Sequence, residues 1–260
     1  MEAPQVELEH ADEDIDPTRI FMPEAADQSS IPSRHFTAQL EYHYIPSISS
    51  SVAIRQLPSR GLSFQLWPAA TTLVSLFDRY KSNPAENALY PVLSKHQPLN
   101  VLEIGSGTGL VGIAAALTLA ATVTITDLPH VVENLQFNVD ANRKLLNLNN
   151  RTVCATQLRW GEHSDAEILG RRFNVLVGSD VVYHDHLFEP LIQTLSWFIN
   201  GDEEVVFLMA HLKRWRKESA FFKMARKRFH VEVLHAEKPP AGSRVGVLVY
   251  KFTSKARRLS

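Results

Sequence analysis

The sequence predicts an α/β protein: an open, doubly wound sheet of seven strands, mostly parallel, with one antiparallel strand and helices on both faces. Three observations predict it. From residue 99 to about 229, apolar runs of strand length alternate with helix-length stretches whose apolar residues recur every three or four positions. The run at Val175, Leu176 and Val177 carries no polar alternation, as a strand covered on both faces should not. Two further strand-like runs, 230–236 and 245–253, flank "EKPPAGS", whose prolines and glycine suit a hairpin turn and set one strand antiparallel.

The chain starts with "MEAPQVELEHADEDIDPTR", seven acids against one base, which is no secretory signal and predicts an acidic, disordered leader over 1–34. "HFTAQLEYHYIPSISSSVAIRQL" (35–57) alternates like β-structure around a Pro/Ser-rich middle, so 35–66 is expected to be a β-hairpin extension. The main domain is expected to fill 67–260. It opens on "WPAATTLVSLFDRY", a helix with Pro68 in its first turn. A polar connector passes through "SNPAEN". Then come the strand "LNVLEI", the helix "GLVGIAAALTLA", the strand "TVTITD" and one helix through "HVVENLQFNVDANRKLL", with Val132, Leu135 and Val139 on its apolar face. The strand "RTVCATQL" leads into a loop carrying "WGE". "FNVLVGSD" and "EEVVFLMAH" are strands, each followed by a helix, "HLFEPLIQTLSWFI" and "ESAFFKMARKRF".

Composition narrows the classes. The 27 Lys and Arg nearly balance the 28 Asp and Glu, so no overall field marks nucleic acid or membrane as partner. The single cysteine, Cys154, excludes an internal disulfide and fits a reducing compartment. Residues 104–126 hold no charge over 23 positions, but glycines at one end and β-branched residues at the other divide them into loop, short helix and strand, against a membrane span. A soluble, monomeric, cytoplasmic protein is expected, with the nucleus as the alternative location.

Open parallel sheets bind ligands beyond the carboxyl ends of their strands, near the point where strand order reverses. "VLEIGSGTGLVG" puts Gly105, Ser106 and Gly107 directly after the first core strand, where glycine permits a tight turn and close approach of a ligand to the main chain. Asp127 ends the next strand, 22 positions beyond Gly105, and can bind a ribose diol. Gly107, Gly109 and Gly112 also satisfy the dinucleotide pattern G-x-G-x-x-G. That frame starts two residues after the strand ends, and Glu103 adds a negative charge that suits a cationic ligand better than a pyrophosphate. The pattern E-x-G-x-G-x-G resembles the first motif of class I methyltransferases, which bind the cationic donor S-adenosylmethionine.

A narrower resemblance follows from five stretches in order: "LWPAA", "LEIGSGTGLVGI", "VTITDLPHVVENLQFNV", "LRWGE" and "GSDVVY". Together they resemble family 16 of the methyltransferase-like proteins, the protein-lysine methyltransferases marked by Asp-x-x-Tyr after the fourth strand. The resemblance covers about residues 60–230. It implies the class I, Rossmann-like methyltransferase fold and a protein substrate carrying the target lysine, a chaperone or translation factor by family likeness. It also implies that Trp67 contacts the donor, Gly105 to Gly107 cradle its methionine part, Asp127 holds the ribose, Trp160 packs near the adenine and Ser179 lies beside the cofactor.

Asp180 and Tyr183 are the expected acceptor-site residues. Asp180 ends a buried strand, where an acid is costly unless it faces a wet cleft with positive ligands. It would orient the incoming ammonium, and Tyr183 would wall the channel with a cation–π face and a hydroxyl. Both are expected to serve the acceptor more than the fold. Against this stands a cap role for Asp180 at the helix near 185, where Asp185 is better placed. His184 and His186 lack a third ligand, so no metal is expected. The basic run 213–228 reads as a solvated helix face, and Val181 and Val182 replace the paired prolines of nucleic-acid amino-methylating motifs, so nucleic acid is disfavoured. The remaining alternatives are a small-molecule methyltransferase and a cofactor-binding module without catalysis.

Overall fold

In the computed structural model, residues 39–200, 204–239 and 245–255 are described; the leader expected over 1–34 lies outside them. The chain forms strands β1 (Gln39–Ile45), β2 (Ser50–Gln56), β3 (Asn100–Ile104), β4 (Thr122–Asp127), β5 (Val153–Gln157), β6 (Val175–Ser179), β7 (Val206–Leu212), β8 (Phe229–Ala236) and β9 (Val247–Ser254). Its helices are α1 (Pro68–Ser82), α2 (Tyr90–Leu93), α3 (Leu110–Leu119), α4 (Pro129–Ala141), α5 (Arg143–Leu148), α6 (His163–Leu169), α7 (Phe188–Ile199) and α8 (Glu218–Arg228).

Strands β3 to β9 make one seven-stranded sheet in the order β5-β4-β3-β6-β7-β9-β8. The β3–β7 pairings are parallel, and β9 runs antiparallel to both β7 and β8. The chain winds outward from β3 to β5 and then returns to β6, so order reverses between β3 and β6. Their carboxyl ends flank the crevice where such sheets bind ligands.

Side chains alternate between two cores. Val101, Val175, Val177 and Leu208 pack on one face with α1, α3 and α4. Leu102, Ile104, Leu176, Phe207 and Met209 pack on the other with α6, α7 and α8. Helix α3 is buried along its whole length, which accounts for its uncharged sequence. Among the described residues no helix is long and apolar enough to cross a membrane.

Three boundaries differ from the sequence expectation. The single helix through 130–146 is two, parted at Asn142, whose φ of −103° and ψ of 5° leave the helical region. The loop after β5 contains α6, and the connector after α1 contains α2. Both missed helices are under eight residues, too short for a periodicity to show.

The hairpin β1–β2 stands apart from the main sheet, and its strands pair antiparallel. Val52 and Ile54 enter the core beside α3 and α4. The other edge of β2 is satisfied by side chains of α4 and of the residue that ends it: Asn134, Asn138 and Asn142, four residues apart and all buried. The Asn142 Oδ1 accepts the Ala53 N–H at 2.9 Å, and its Nδ2 donates to the Ala53 carbonyl at 2.7 Å. Asn138 Oδ1 accepts the Arg55 N–H at 2.7 Å, and its Nδ2 donates to the Thr108 carbonyl at 2.8 Å. An asparagine at helical spacing thus replaces a strand, because its amide carries the same donor and acceptor as a peptide unit. Asn138→Ala strands the Arg55 amide and the Thr108 carbonyl, and should lower the unfolding free energy by about 2–4 kcal/mol in denaturant titration.

Candidate active site

The carboxyl ends of β3, β4, β6 and β7 open onto a cavity of about 360 Å³. The turn after β3 contributes Gly105 and Gly107, and β4 ends on Asp127. The segment after β5 contributes Trp160, and β6 leads through Ser179 and Asp180 to Tyr183. Trp67 comes from the start of α1. These eight residues, far apart in sequence, line one space. Glu103 and Ser106 do not line it.

Gly105 has φ +64°, and a Cβ there would lie 2.8 Å from the Trp160 ring, so both conformation and space require glycine. Ser106 fastens the turn from below: its hydroxyl accepts the Thr126 N–H at 2.9 Å. The Glu103 carboxylate points away from the cavity to the start of α3, where Oε2 accepts the Gly112 N–H at 2.9 Å. Gly112 permits this approach, since a Cβ would sit 2.7 Å from Glu103 Oε2 and 2.2 Å from Ile125 Cγ2. Among the described residues Glu103 Oε1 has no hydrogen-bond partner, and burial pushes the carboxyl up to about 8. The expected negative charge for a cationic ligand is therefore corrected: at neutral pH Glu103 is largely a neutral acid beneath the turn.

Asp127 stays within reach of the cavity. Its Oδ2 accepts the Gly107 N–H and its Oδ1 the Leu128 N–H, both at 2.8 Å, and the Ser63 side chain is a third hydrogen-bond partner, which leaves one lone-pair site for a ribose hydroxyl. Burial pushes its carboxyl upward, while those two backbone bonds oppose the shift.

Asp180 is where the structure departs furthest from expectation. Its carboxylate is 2% exposed and does not face a wet cleft. Oδ1 accepts from the Leu212 amide at 3.0 Å and Arg214 Nη1 at 3.1 Å; Oδ2 accepts from the Ala69 amide at 3.2 Å and Arg214 Nη2 at 3.0 Å. All four lone-pair sites are taken, so the acid is tolerated because a guanidinium fork neutralises it. It does cap a helix, but the helix is α1 and not the one near 185. The residue holds φ +53°, a conformation Asp tolerates better than most. Arg214 also lies 5.3 Å over the Trp67 ring. Below it, Glu218 Oε2 accepts the Arg214 N–H at 3.1 Å and stands 3.0 Å from His211 Nε2.

Aromatic groups form the opposite wall. Trp160 and Tyr183 meet edge-on at 6.3 Å, and Tyr183 continues to His184 at 4.9 Å. Trp160 is set by its neighbours, Gly161 donating to Thr194 Oγ1 at 2.9 Å and Arg159 gripping Asp165 with Nε and Nη2, both at 2.8 Å. The Arg159 fork holds the Asp165 carboxyl well below the usual range. Burial pushes the Tyr183 phenol up to about 12, so it stays protonated across the physiological range.

Sequence reasoning missed Arg214, Trp215 and Arg159, which also line the cavity. Arg214 belongs to the basic run read as a solvated helix face. Only 218–228 of that run is helix; 213–217 is the segment leaving β7 at the site. The signal available was its position directly after a core strand, and charge alone concealed it.

A sequence profile of the lysine methyltransferase family matches residues 47–228. Among curated proteins, the chain is 38% identical over 135 residues to protein N-lysine methyltransferase METTL21A of Danio rerio, covering 52% of this chain and 59% of that one. It is 33% identical to EEF1A lysine methyltransferase 3 of Xenopus tropicalis, covering 62% and 63% respectively. It is 31% identical over 195 residues to protein-lysine methyltransferase METTL21E of Mus musculus, covering 74% and 72%. The match thus spans less than two thirds of the length of the first two relatives.

Two outcomes are expected from this geometry. Asp180→Asn leaves Arg214 with an uncompensated charge in a buried setting and should cost about 3 kcal/mol of stability, read as a lower denaturant midpoint. Glu103 binds its proton more tightly folded than unfolded, so its contribution to stability is complete below about pH 4 and fades as pH rises toward 8. Glu103→Gln should remove that slope, at most about 1.4 kcal/mol per pH unit, from unfolding curves between pH 5 and 8.

Proposed function

The chain belongs to the lysine methyltransferase family, and from that premise we propose that it transfers a methyl group from S-adenosylmethionine to a lysine side chain of another protein. The observation that carries the reading is the meeting, in one cavity, of a glycine turn, a β4-terminal carboxylate and an aromatic wall ending on Asp-x-x-Tyr. When bound, S-adenosylmethionine supplies an electrophilic methyl on a sulfonium. The residues present fit that group. The φ +64° turn at Gly105 exposes main chain where a side chain would collide with Trp160, and Asp127 keeps a lone-pair site for a ribose hydroxyl. Trp67 and Trp160 offer flat faces for the purine and the cation.

The acceptor amine has to arrive neutral, since an ammonium has no lone pair for an in-line displacement. Asp180 supplies no base, because accepting a proton would break the fork from Arg214. Tyr183 supplies none either, being itself a neutral phenol with a raised pKa. The lysine instead leaves its proton in bulk water before it enters, and desolvation against the Trp160–Tyr183 wall keeps the amine neutral, since burial lowers an amine's pKa. Tyr183 aligns the amine with its hydroxyl and presents a cation–π face on the way in. Asp180 and Arg214 act indirectly, holding Trp67 and the β7 exit in place. EEF1A, named for one relative, is a candidate acceptor. We further propose a monomer acting in the cytoplasm, in keeping with the single cysteine and near-neutral charge.

Incubating the protein with isotopically labelled donor and a cell extract should place label on protein lysines and none on nucleic acid; label confined to nucleic acid would refute the reading. Asp127→Ala should weaken donor binding by about 1.5–3 kcal/mol in calorimetry, the scale of a lost charge-assisted bond. Tyr183→Ala should lower kcat/KM by roughly tenfold, a lost cation–π face, while Tyr183→Phe retains most of it.

A further inference from the structure

The charges around the cavity are segregated. Asp127 and Glu162 lie on the β4–β5 side, where Arg159 is neutralised by its fork onto Asp165. On the β6–β7 side the exit segment reads Lys213-Arg214-Trp215-Arg216-Lys217, four bases in five residues. Arg214 is turned inward to Asp180, and Trp215 lines the cavity beside it. Lys213, Arg216 and Lys217 are exposed, and the Lys217 Nζ sits 5.4 Å over the Trp215 ring, which ties its charge to the rim. The only acid in 213–228 is Glu218, fully buried and bonded to His211 and the Arg214 amide, so it screens nothing outside. The chain as a whole carries a net charge of −1, so this concentration of positive charge at one lip is local.

A basic lip in front of a slot for a lysine poses an electrostatic problem. An approaching ammonium alone is repelled by Lys213 and Lys217. It is attracted only if the surface that carries it brings carboxylates to meet them. We propose that the exit segment of β7 is a docking surface for an acidic protein surface, and that the acceptor lysine is one flanked by Asp and Glu. The inference rests on the lysine methyltransferase reading of the cavity and adds to it the chemistry of the acceptor's surroundings. A basic strip with one aromatic could also receive nucleic acid. An acidic protein is favoured because the strip stands at the rim of the cavity read as the site of lysine methylation, and a protein surface brings its carboxylates and its lysine there together.

Three fluorescent probes test it in the presence of S-adenosylhomocysteine: a peptide with one lysine among glutamates, the same peptide with alanines for the glutamates, and a short single-stranded RNA. The acidic peptide should bind at least about tenfold tighter than the alanine peptide at low salt, and lose that advantage as salt rises. The double variant Lys213→Glu/Lys217→Glu should weaken the acidic peptide at least about tenfold, with donor affinity and thermal midpoint unchanged. Equal binding of the two peptides, indifference to the double variant, or tighter binding of the RNA would each overturn the proposal. The same peptides assayed with labelled donor separate the two readings. Selective binding with no transfer to any peptide or extract protein leaves the docking surface standing and removes the enzyme. Equal transfer to both peptides leaves the enzyme and removes the surface.

Discussion

One carboxylate holds the site together. Asp180 leaves β6, accepts the amide at the start of α1, accepts another at the end of β7, and takes the Arg214 fork between them. Each of those elements supplies a wall of the cavity: Trp67 from α1, Tyr183 beyond β6, Trp215 beyond β7. An isolated charge at this depth would cost more than the fold can offset, and so would an isolated guanidinium. Only the fully bonded pair is tolerable, which makes its geometry close to all-or-none. The left-handed backbone at Asp180 is held in place by the same bonds, a strained conformation kept where the cavity needs a sharp change of direction.

The parts of this arrangement differ in how visible they are in the sequence. The β3 turn and Asp127 are legible because a local pattern, strand then glycines then strand then acid, maps onto a local structure. The aromatic residues are legible only as members of a longer ordered set of motifs, since a lone Trp or Tyr reads equally well as core. Arg214 is illegible for a physical reason: an arginine among lysines has the statistics of a surface. Its burial depends on a partner 34 residues away in sequence, across a parallel strand pair. Glu103 shows the converse error. Its position beside the glycines suggested a charge for the ligand, but the close packing that Gly112 allows turns it inward and leaves it largely uncharged. Helix α6 and the break at Asn142 escaped because the first is short and the second is set by a contact with β2 that no periodicity encodes.

The cavity also separates two electrostatic tasks that a methyl donor and a lysine would otherwise confuse, both being cations. Acidic side chains stand on the β4–β5 side and basic ones on the β7 side, with the neutral phenol of Tyr183 between them. The Asp180 carboxylate cannot take up the acceptor's proton without losing the Arg214 fork, and the neutral Tyr183 phenol is already protonated, so the aromatic wall lowers the amine's proton affinity by excluding water.

The asparagines of α4 give the hairpin an unusual standing. Asn138 grips the backbone of β2 with one face of its amide and the carbonyl of Thr108, in the glycine turn, with the other. The hairpin thus sits on α4 as a captive peptide sits in a receptor, and its docking and the shape of the turn are two readings of one equilibrium. Reciprocity then applies inside a single chain: whatever orders the turn from the cavity side tightens the hairpin by the same factor, and whatever loosens the hairpin taxes the occupant of the cavity equally.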